Sequence, residues 1–531
     1  MDSIAVSGSS RVSSTAAGPR EWLGLAVLAL PTLLLGLDVT LLYLALPALA
    51  ADLQASSVQA LWIMDAYGFM IAGFLVTMGT LGDRIGRRRL LMVGAAAFGI
   101  ASVLAAFSTS APMLIAARAA LGVAGATLMP STLALISNMF TDPRQRALAI
   151  GVWATMFALG MALGPLVGGV LLERFWWGSA FLVAVPVVVL VLATAPWLLP
   201  EYRAARGGRL DPASVALSLV AMLATVYGLK EFARAGPAVP PVLWMLAGIA
   251  GAWLFVRRQR RLVHPLLDMA LFSGRIFGAA LAILLFGLVA VAGVMLLVSQ
   301  YLQLVAGLSP LAAGTWMGPP ALAMVFAGIA APLLARRVRP GLVVAGALGL
   351  SALGYMLLAA VDSGIGMVVA GFALAYLGLG TIAALGTNLV VGAAPPEKAG
   401  SASAMSETAQ ELGVAIGVAL VGSLSAAVYR LTLDEWVMPA SLPDDLRAAL
   451  GDSLWAATSV ADRLPAEALE QAREAFVVGF NVAALACAVT VLVLATLAAA
   501  LLHHVDALEA DEGDNPRASG EHICCASTGR C

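Results

Sequence analysis

The sequence predicts an all-α membrane protein with fourteen transmembrane helices, and three observations support this fold class. First, 61% of the 531 residues are hydrophobic and only 11% are charged, whereas a soluble domain is about 45–50% apolar and about 25% charged. Second, the chain contains fourteen apolar runs, each close to the ~20 residues that a helix needs to cross a bilayer. Third, most basic residues fall in alternate connections between these runs, as expected when one side of the membrane collects Lys and Arg.

The fourteen predicted helices are separated mostly by short polar connections. They cover residues 22–50, 58–81, 90–108, 111–139, 145–172, 177–199, 212–232, 241–257, 276–303, 309–335, 341–361, 364–391, 399–428 and 475–502. With the N-terminus in the cytoplasm, the inner connections hold 18 basic residues and the outer ones seven. Those seven are Arg174, Lys230, Arg234, Arg430, Arg447, Arg463 and Arg473. The sequence therefore predicts that both termini are cytoplasmic.

An internal repeat predicts how these helices are grouped. The connection after predicted helix 2, GTLGDRIGRRRL, returns in degenerate form after helix 10 as GIAAPLLARRVRPGL. Such repeats are typical of secondary transporters. We therefore expect two six-helix bundles, at 22–199 and 276–502, with helices 7 and 8 inserted in the linker 200–275. Segments 1–21 and 503–531 are predicted cytoplasmic tails, the second disordered, and 429–474 is a predicted outer loop.

The connection after helix 2 also carries a motif of small and charged residues at the inner membrane face. The arginines alone would suit ordinary anchoring at the membrane surface. The full pattern resembles the loop 2–3 signature of the major facilitator superfamily. In that family the acid and the basic cluster bridge helix ends and hold the inner gate closed in one state. The residues expected to form this gating motif are Gly79, Asp83, Arg84, Gly86, Arg87 and Arg88.

Predicted helix 5 contains a stripe of small residues in GVWATMFALGMALGPLVGG. Glycines spaced four residues apart lie on one helix face and let a neighbouring helix approach closely. A proline removes one backbone donor and bends the helix locally. Small-residue stripes also occur in membrane helices without a transport role, but this one resembles the helix 5 signature of drug and proton antiporters. The motif consists of Gly151, Gly160, Gly164, Pro165, Gly168 and Gly169.

Ionisable residues inside membrane helices are costly there and are functional-site hypotheses by default. Asp38 lies near the middle of helix 1, and Asp65 lies about 10 Å below the outer surface in helix 2. Glu407 and Glu411 share one face of helix 13, where two ionised acids would repel each other. Arg118 in helix 4 should meet a partner or a cavity, or reach the membrane surface. The alternative is that the acids are structural and satisfied by a hydroxyl or by Arg118.

The stretch LDVTLLYLALP resembles the helix 1 signature of the fourteen-helix drug:proton antiporters. Three further stretches, WIMDAYGF, WWGSAFLVAVP and SETAQELG, are most similar to the QacA, SmvA and LfrA type of multidrug efflux pump. The resemblance implies the major facilitator fold and proton-coupled export of lipophilic, mostly cationic compounds by alternating access. It implies that Asp38, Asp65 and Glu407 bind protons and cations, and that Arg118 is linked to proton coupling. Tyr43 replaces the usual asparagine, and predicted helix 10 lacks an acid found in some of these pumps, so the resemblance does not extend to the recognition of dications.

The resemblance also implies a location and partners. We expect a multi-pass protein of the bacterial inner (cytoplasmic) membrane, a monomer whose partners are lipids, protons and small-molecule drugs or lipophilic cations. Nothing in the sequence suggests nucleic acid, and we expect no cofactor, because the proton gradient would drive transport. Aromatic side chains could receive a lipophilic cation on a ring face, although each could equally be ordinary packing. The candidates are Tyr43, Trp62, Tyr67, Trp153 and Phe157.

Other functions have less support from the sequence. A composition rich in Ala, Gly and Arg with two lysines suggests a high-GC genome, so the cargo could be an antibiotic that the host itself makes. A channel or a receptor is disfavoured because there is no filter-like loop and no signalling domain. The sequence also lacks a metal-ligand cluster and a phosphate-binding loop, and its four histidines fall in loops or the tail. We therefore expect neither an enzyme nor a metal site.

Overall fold

The structure is a computed structural model of the chain. The predicted tails lie largely outside the residues that it describes. Those residues are 17–203, 211–235, 238–262, 265, 267, 269–362, 364–394, 399–436 and 442–502.

Fourteen helices in the described residues are long and apolar enough to cross a membrane, which confirms the predicted fold class. They begin and end within a few residues of the predicted spans, apart from the extended ends of the last two. We number them α1 (Pro19–Asp52), α2 (Ser57–Ile85), α3 (Arg87–Ala106), α4 (Ala111–Met139), α5 (Pro143–Arg174), α6 (Ser179–Leu198), α7 (Pro212–Ala235), α8 (Val239–Gln259), α9 (Arg275–Val305), α10 (Pro310–Ala335), α11 (Pro340–Ala359), α12 (Ile365–Gly392), α13 (Ala399–Glu435) and α14 (Ala466–Leu501).

Polar caps mark several helix starts. Ser56 and Ser110 accept hydrogen bonds from backbone N–H groups in the first turns of α2 and α4. Asp142 does the same for α5 by accepting from the N–H of Gln145 at 2.9 Å. These side chains satisfy donors that have no partner within the helix. These capping residues thus fix where α2, α4 and α5 begin.

The helices form two bundles of six, α1–α6 and α9–α14. In the first bundle α1 packs along α5 and α2 along α4, and in the second α10 packs along α12 and α13 along α9. The repeat seen in the sequence has a structural counterpart. A Cβ added to Gly79 on α2 would lie 3.8 Å from Pro130 on α4, and one added to Gly328 on α10 would lie 3.9 Å from the carbonyl oxygen of Gly380 on α12. The two glycines therefore occupy equivalent positions.

The inserted helices α7 and α8 form a hairpin on the side of the molecule. Gly248 of α8 faces Thr225 of α7, which permits close packing of the pair. The hairpin docks through α7, which contacts both α2 and α13. The prediction that Lys230 and Arg234 lie in an outer loop is wrong, because α7 continues to Ala235 and contains both positions.

We call the side that holds the α2–α3 turn the arginine-rich face, and the side that holds residues 436–465 the long-loop face. Direct contacts between the bundles include several in the half nearer the long-loop face. Ser299 Oγ of α9 donates to the carbonyl oxygen of Tyr43 of α1 at 2.8 Å. A Cβ on Gly169 of α5 would lie only 2.8 Å from the carbonyl oxygen of Pro310 of α10. The structure is therefore closed toward the long-loop face.

The connection between α13 and α14 is shorter than the predicted outer loop 429–474. Both helices extend beyond the apolar runs, so Arg430 and Arg473 belong to helices and not to the loop. The loop contains short helices at Asp444–Asp452 and Leu454–Ser459. Their side chains, with residues of α2, α9, α13 and α14, line a small cavity of about 40 Å³ under the long-loop face.

Asp452 anchors this loop to the first bundle. Its carboxylate accepts a hydrogen bond from the backbone N–H of Ser57 at 3.0 Å, at the start of α2. We expect Asp452→Ala to lower the free energy of unfolding by about 1 kcal/mol, the usual effect of losing a helix cap. Thermal unfolding of the purified protein in detergent measures this loss. Asp434→Ala, at an exposed position near the end of α13, is the matched control, and equal losses in both variants would contradict the anchoring role.

Candidate functional site

Helix α2 carries two sets of site residues on different faces. Trp62, Asp65 and Phe69 follow a helical spacing and face α7, whereas Ile63 and Tyr67 face Arg118 of α4. Because residues two apart in a helix point in nearly opposite directions, Asp65 and Tyr67 serve different neighbours. The candidate acids Asp38 and Asp65 therefore have different ionic partners, Arg118 for the first and Lys230 for the second.

The first cluster joins Asp38 of α1 to Arg118 of α4. The Arg118 Nη1 atom lies 2.8 Å from Asp38 Oδ2, and the two side chains are 2% and 12% exposed. Arg118 Nε donates to the carbonyl oxygen of Ile63 at 3.1 Å, and its guanidinium carbon lies 4.3 Å from the centre of the Tyr67 ring. Arg118 thus has a charged partner inside the bundle and does not extend to the membrane surface.

The second cluster joins Asp65 of α2 to Lys230 of α7. Lys230 Nζ lies 2.6 Å from Asp65 Oδ2, and both side chains are 0% exposed. The same ammonium lies 4.2 Å from the centre of the Trp62 ring. A buried pair of this kind loses much hydration energy, so its members strongly require each other. The sequence analysis missed Lys230, although it falls within predicted helix 7 and an intramembrane lysine is itself a signal of function.

The glutamates of α13 differ from the two aspartates. Glu407 is partly buried and Glu411 is buried, and they follow each other by one turn on one face. Within the described part of the chain, neither carboxylate forms an ion pair or a side-chain hydrogen bond. A Cβ added to Gly68 of α2 would lie 3.7 Å from the carbonyl oxygen of Glu411, so this part of α13 lies directly against α2. These two acids therefore have no fixed counter-charge among the described residues.

The gating motif ties the arginine-rich ends of several helices together. Arg87 Nη2 lies 2.7 Å from Asp83 Oδ1, and Arg87 Nη1 donates to the carbonyl oxygen of Pro130 in α4 at 3.3 Å. Arg88 Nη1 donates to the carbonyl oxygen of Leu199 after α6 at 2.9 Å. Arg84 is exposed. These contacts join α2, α3, α4 and the end of α6 within the first bundle.

Glu201 is a second residue that sequence reasoning missed. Its carboxylate accepts from the backbone N–H of Arg88 at 3.2 Å and lies 3.7 Å from the Nε atoms of Arg88 and Arg89. It also lies against Gly86, whose φ of +112° is in the region that favours glycine and whose added Cβ would contact the carboxylate. No motif includes Glu201, but an acid just after α6 and opposite an arginine cluster was a usable signal.

The glycine stripe of α5 lies against α1. Cβ atoms added to Gly160 and Gly164 would collide with the carbonyl oxygen of Leu33 and the hydroxyl of Thr40, and one on Gly168 would lie 3.0 Å from Leu41. Thr40 Oγ1 also donates across the interface to the carbonyl oxygen of Met161 at 3.0 Å. Gly169 faces α10 of the other bundle. The carbonyl oxygen of Pro165 faces Gly314, which also lies on α10. Gly151 has nothing within 4 Å of an added Cβ.

The stripe makes a specific stability prediction. Gly160→Ala should lower the free energy of unfolding by about 1–3 kcal/mol, because backbone atoms of α1 cannot yield to an added methyl group as a flexible side chain could. Gly151→Ala, on the same helix, should leave stability unchanged or slightly raised. Thermal unfolding in detergent compares the two variants. Equal unfolding temperatures would show that close packing of α5 on α1 is unimportant.

The candidate cargo aromatics occupy different environments. Tyr43, Tyr67 and Trp153 are buried, and Trp153 Nε1 donates to the hydroxyl of Thr132 at 3.0 Å. Phe157 is partly buried, and its backbone carbonyl lies against Gly36 of α1. Trp62 is the aromatic of this set whose ring contacts the buried Asp65–Lys230 pair.

Comparison with known proteins agrees with this architecture. Residues 28–418 match the family model described as Major Facilitator Superfamily. The chain is 42% identical to "Multidrug efflux pump LfrA" of Mycolicibacterium smegmatis, over 91% of this chain and 97% of that protein. It is 36% identical to "Methyl viologen resistance protein SmvA" of Salmonella typhimurium, over 87% and 94% of the two chains.

Among solved structures, a bacterial homologue of the human lysosomal transporter Spinster, in an inward-facing and unoccupied conformation, superimposes with a TM-score of 0.63. The match covers 91% of this chain and 97% of that one at 16% identity, so it bears on the fold alone. The fourteen helices, the family model and the two efflux relatives together show that this multi-pass bacterial membrane protein belongs to the Major Facilitator Superfamily.

Proposed function

We propose that the chain is a proton-coupled multidrug efflux antiporter that exports lipophilic, mostly cationic compounds by alternating access. The observation that carries the proposal is the contrast between the four candidate acids, Asp38, Asp65, Glu407 and Glu411. Asp38 and Asp65 are paired with Arg118 and Lys230, whereas Glu407 and Glu411 have no ion pair within the described residues. A carboxyl group without a fixed counter-charge can bind either a proton or a cation, and exclusive occupancy couples the two fluxes.

The orientation follows from the arginines. We place the arginine-rich face in the cytoplasm and the long-loop face outside, because connections rich in Lys and Arg remain inside. The contacts near the long-loop face then close the outer exit, so this state would load cargo from the cytoplasm or the inner leaflet. Rocking of the two bundles would release the cargo outward after a glutamate accepts a proton.

The energy available suits export. One proton moving inward supplies about 2.3 kcal/mol per 100 mV and about 1.4 kcal/mol per pH unit. A neutral cargo could use both terms. A monocation exchanged for one proton gains only the pH term, because the exchange moves no net charge.

Transport in proteoliposomes with an imposed pH step tests the proposal. Protein oriented with its long-loop face toward an acidic lumen should accumulate ethidium in that lumen, and a protonophore should abolish the accumulation. A parallel assay with a neutral lipophilic drug shows whether transport depends on the charge of the cargo or on its hydrophobicity. Accumulation on the alkaline side, or no response to the pH step, would refute antiport. A parallel assay with methyl viologen, a dication, shows whether dications are also exported.

A further inference from the structure

The position of Lys230 suggests a role for the inserted helices. Its ammonium group is a monocation, and it lies 2.6 Å from the Asp65 carboxylate and 4.2 Å from the centre of the Trp62 ring. A carboxylate beside an aromatic ring is the combination that binds organic cations. The chain has only one other lysine, Lys398. The protein thus holds one of its two lysines in an environment suited to a cationic ligand.

The pair is not embedded in a wider polar network. Beyond the ion pair itself, neither the Asp65 oxygens nor Lys230 Nζ meets a hydrogen-bonding group among the described residues. Apolar side chains of α2, α7 and α13, among them Phe69, Val226 and Ala415, form a cluster against which Trp62 packs. Lys230 is therefore held by one charge and one ring, the same contacts that a lipophilic cation would make.

A series of aromatic rings leads from this cluster to the surface of the helix hairpin. The Trp62 ring lies 6.5 Å from the Tyr227 ring, centre to centre, and Tyr227 lies 5.4 Å from Trp244 of α8. Exposure increases along the series, and Trp244 is 49% exposed on a helix long and apolar enough to span the membrane. The series therefore connects the buried pair with the lipid-facing side of α8.

We propose that Asp65 and Trp62 form a lateral binding site for lipophilic monocations, reached from the bilayer past Tyr227 and Trp244, and that Lys230 occupies this site as a built-in competitor when cargo is absent. The proposal rests on the function proposed above and adds where a cation binds. Cargo enters by displacing the Lys230 side chain, which has a flexible four-carbon stem. When cargo leaves, Lys230 returns, so the Asp65 charge is balanced in the empty carrier without a proton. Asp65 then receives the cargo on its way from the bilayer, and the glutamates of α13 remain the groups at which a proton and a cation exclude each other.

Equilibrium binding of tetraphenylphosphonium, a lipophilic monocation, to purified protein in detergent tests the competition. Lys230→Met should bind the probe at least about tenfold more tightly than the parent protein, because no ammonium has to leave the site. Lys230→Arg should keep the weaker binding of the parent, since it retains a competing charge. Asp65→Asn and the double variant Lys230→Met/Asp65→Asn should bind at least about tenfold more weakly than the parent. Unchanged or weaker binding by a folded Lys230→Met would overturn the proposal.

Lys230→Met leaves a buried carboxylate unpaired and could fail to fold, so a second measurement uses the unmodified pair. Protein labelled with ¹³C at the lysine Cε position gives two side-chain NMR signals, which Lys398→Arg assigns. Tetraphenylphosphonium should shift the Lys230 signal at concentrations that saturate binding, and a neutral lipophilic drug should not. A Lys230 signal that stays in place while the probe binds would show that the pair only anchors α7 to α2.

These assays need no proton gradient, so their failure is separate from failure of the proposed function. If antiport fails but the competition is observed, the site binds cations without being part of proton-driven export. If antiport holds but Lys230 is not displaced, cargo cations bind elsewhere and the inserted hairpin has a structural role.

Discussion

Glu407→Gln is expected to abolish proton-driven export while leaving the protein folded. Glutamine has the same size as glutamate but cannot bind and release a proton, so the variant loses the exchange that drives transport. With a pH step of two units, one proton supplies enough energy for about a hundredfold gradient of cargo. We expect the parent protein to approach this gradient and the variant to reach none. Ethidium accumulation in proteoliposomes, at lumen pH values from 5 to 7, measures both.

The matched control for Glu407→Gln is Asp211→Asn. Asp211 precedes α7 outside the membrane-spanning segments, and the Arg258 guanidinium, which donates to it at 2.7 and 2.8 Å, lowers the pKa of its carboxyl to about 2. The stabilisation from this lowered pKa is present above the unfolded value of about 3.9 and is lost only as pH falls toward 2. Asp211 therefore stays ionised from pH 5 to 8, and its loss should not change the pH dependence of export. If export depended on pH in the same way in both variants, Glu407 would have no part in proton coupling.

Arg118→Met is expected to cause the largest loss of stability. It removes the partner of Asp38 and leaves a largely buried carboxylate uncompensated, which typically costs 3–5 kcal/mol. It also removes the hydrogen bond to Ile63 and the cation–π contact with Tyr67. Thermal unfolding in detergent, with and without lipid, should show a large fall in unfolding temperature, and export should be lost.

The double variant Asp38→Asn/Arg118→Met separates charge from packing. Both charges are then absent, so we expect most of the stability to return while export remains lost. A double variant as unstable as Arg118→Met alone would mean that packing of the arginine side chain, and not its charge, holds α1, α2 and α4 together. Restored export in the double variant would exclude a role for the pair in transport.

The helix count could be predicted because each transmembrane helix needs a long apolar run, and the chain has fourteen of them. Errors arose where helices continue beyond the apolar region. Residues 466–474 are polar and contain four acidic or basic side chains, yet they form the first turns of α14. Hydropathy predicts only the part of a helix that crosses the membrane and not its polar extension, so the predicted outer loop was too long.

The functional site was less predictable because it depends on which helices meet. The acids could be singled out from burial in apolar sequence, but their partners could not be assigned. Asp65 pairs with Lys230, which is 165 positions away and on an inserted helix that the two-bundle repeat does not include. The count of basic residues per connection assigned Lys230 to an outer loop, although Lys230 already fell within the span predicted for helix 7. A charged residue within a predicted membrane helix indicates a functional site more reliably than that count does.

The contact between α2 and α13 has a mechanical consequence. At Gly68 and Ala415, the two bundles touch through a hydrogen atom and a methyl group, with an added Cβ only 3.0 Å from its neighbour. Because only a methyl group separates the two backbones at this point, a tilt of one bundle against the other about this contact would meet little steric resistance here. Asp65 lies one turn from the contact on α2, and Glu411 lies one turn from it on α13. Such a tilt would therefore displace both acids by only a short distance.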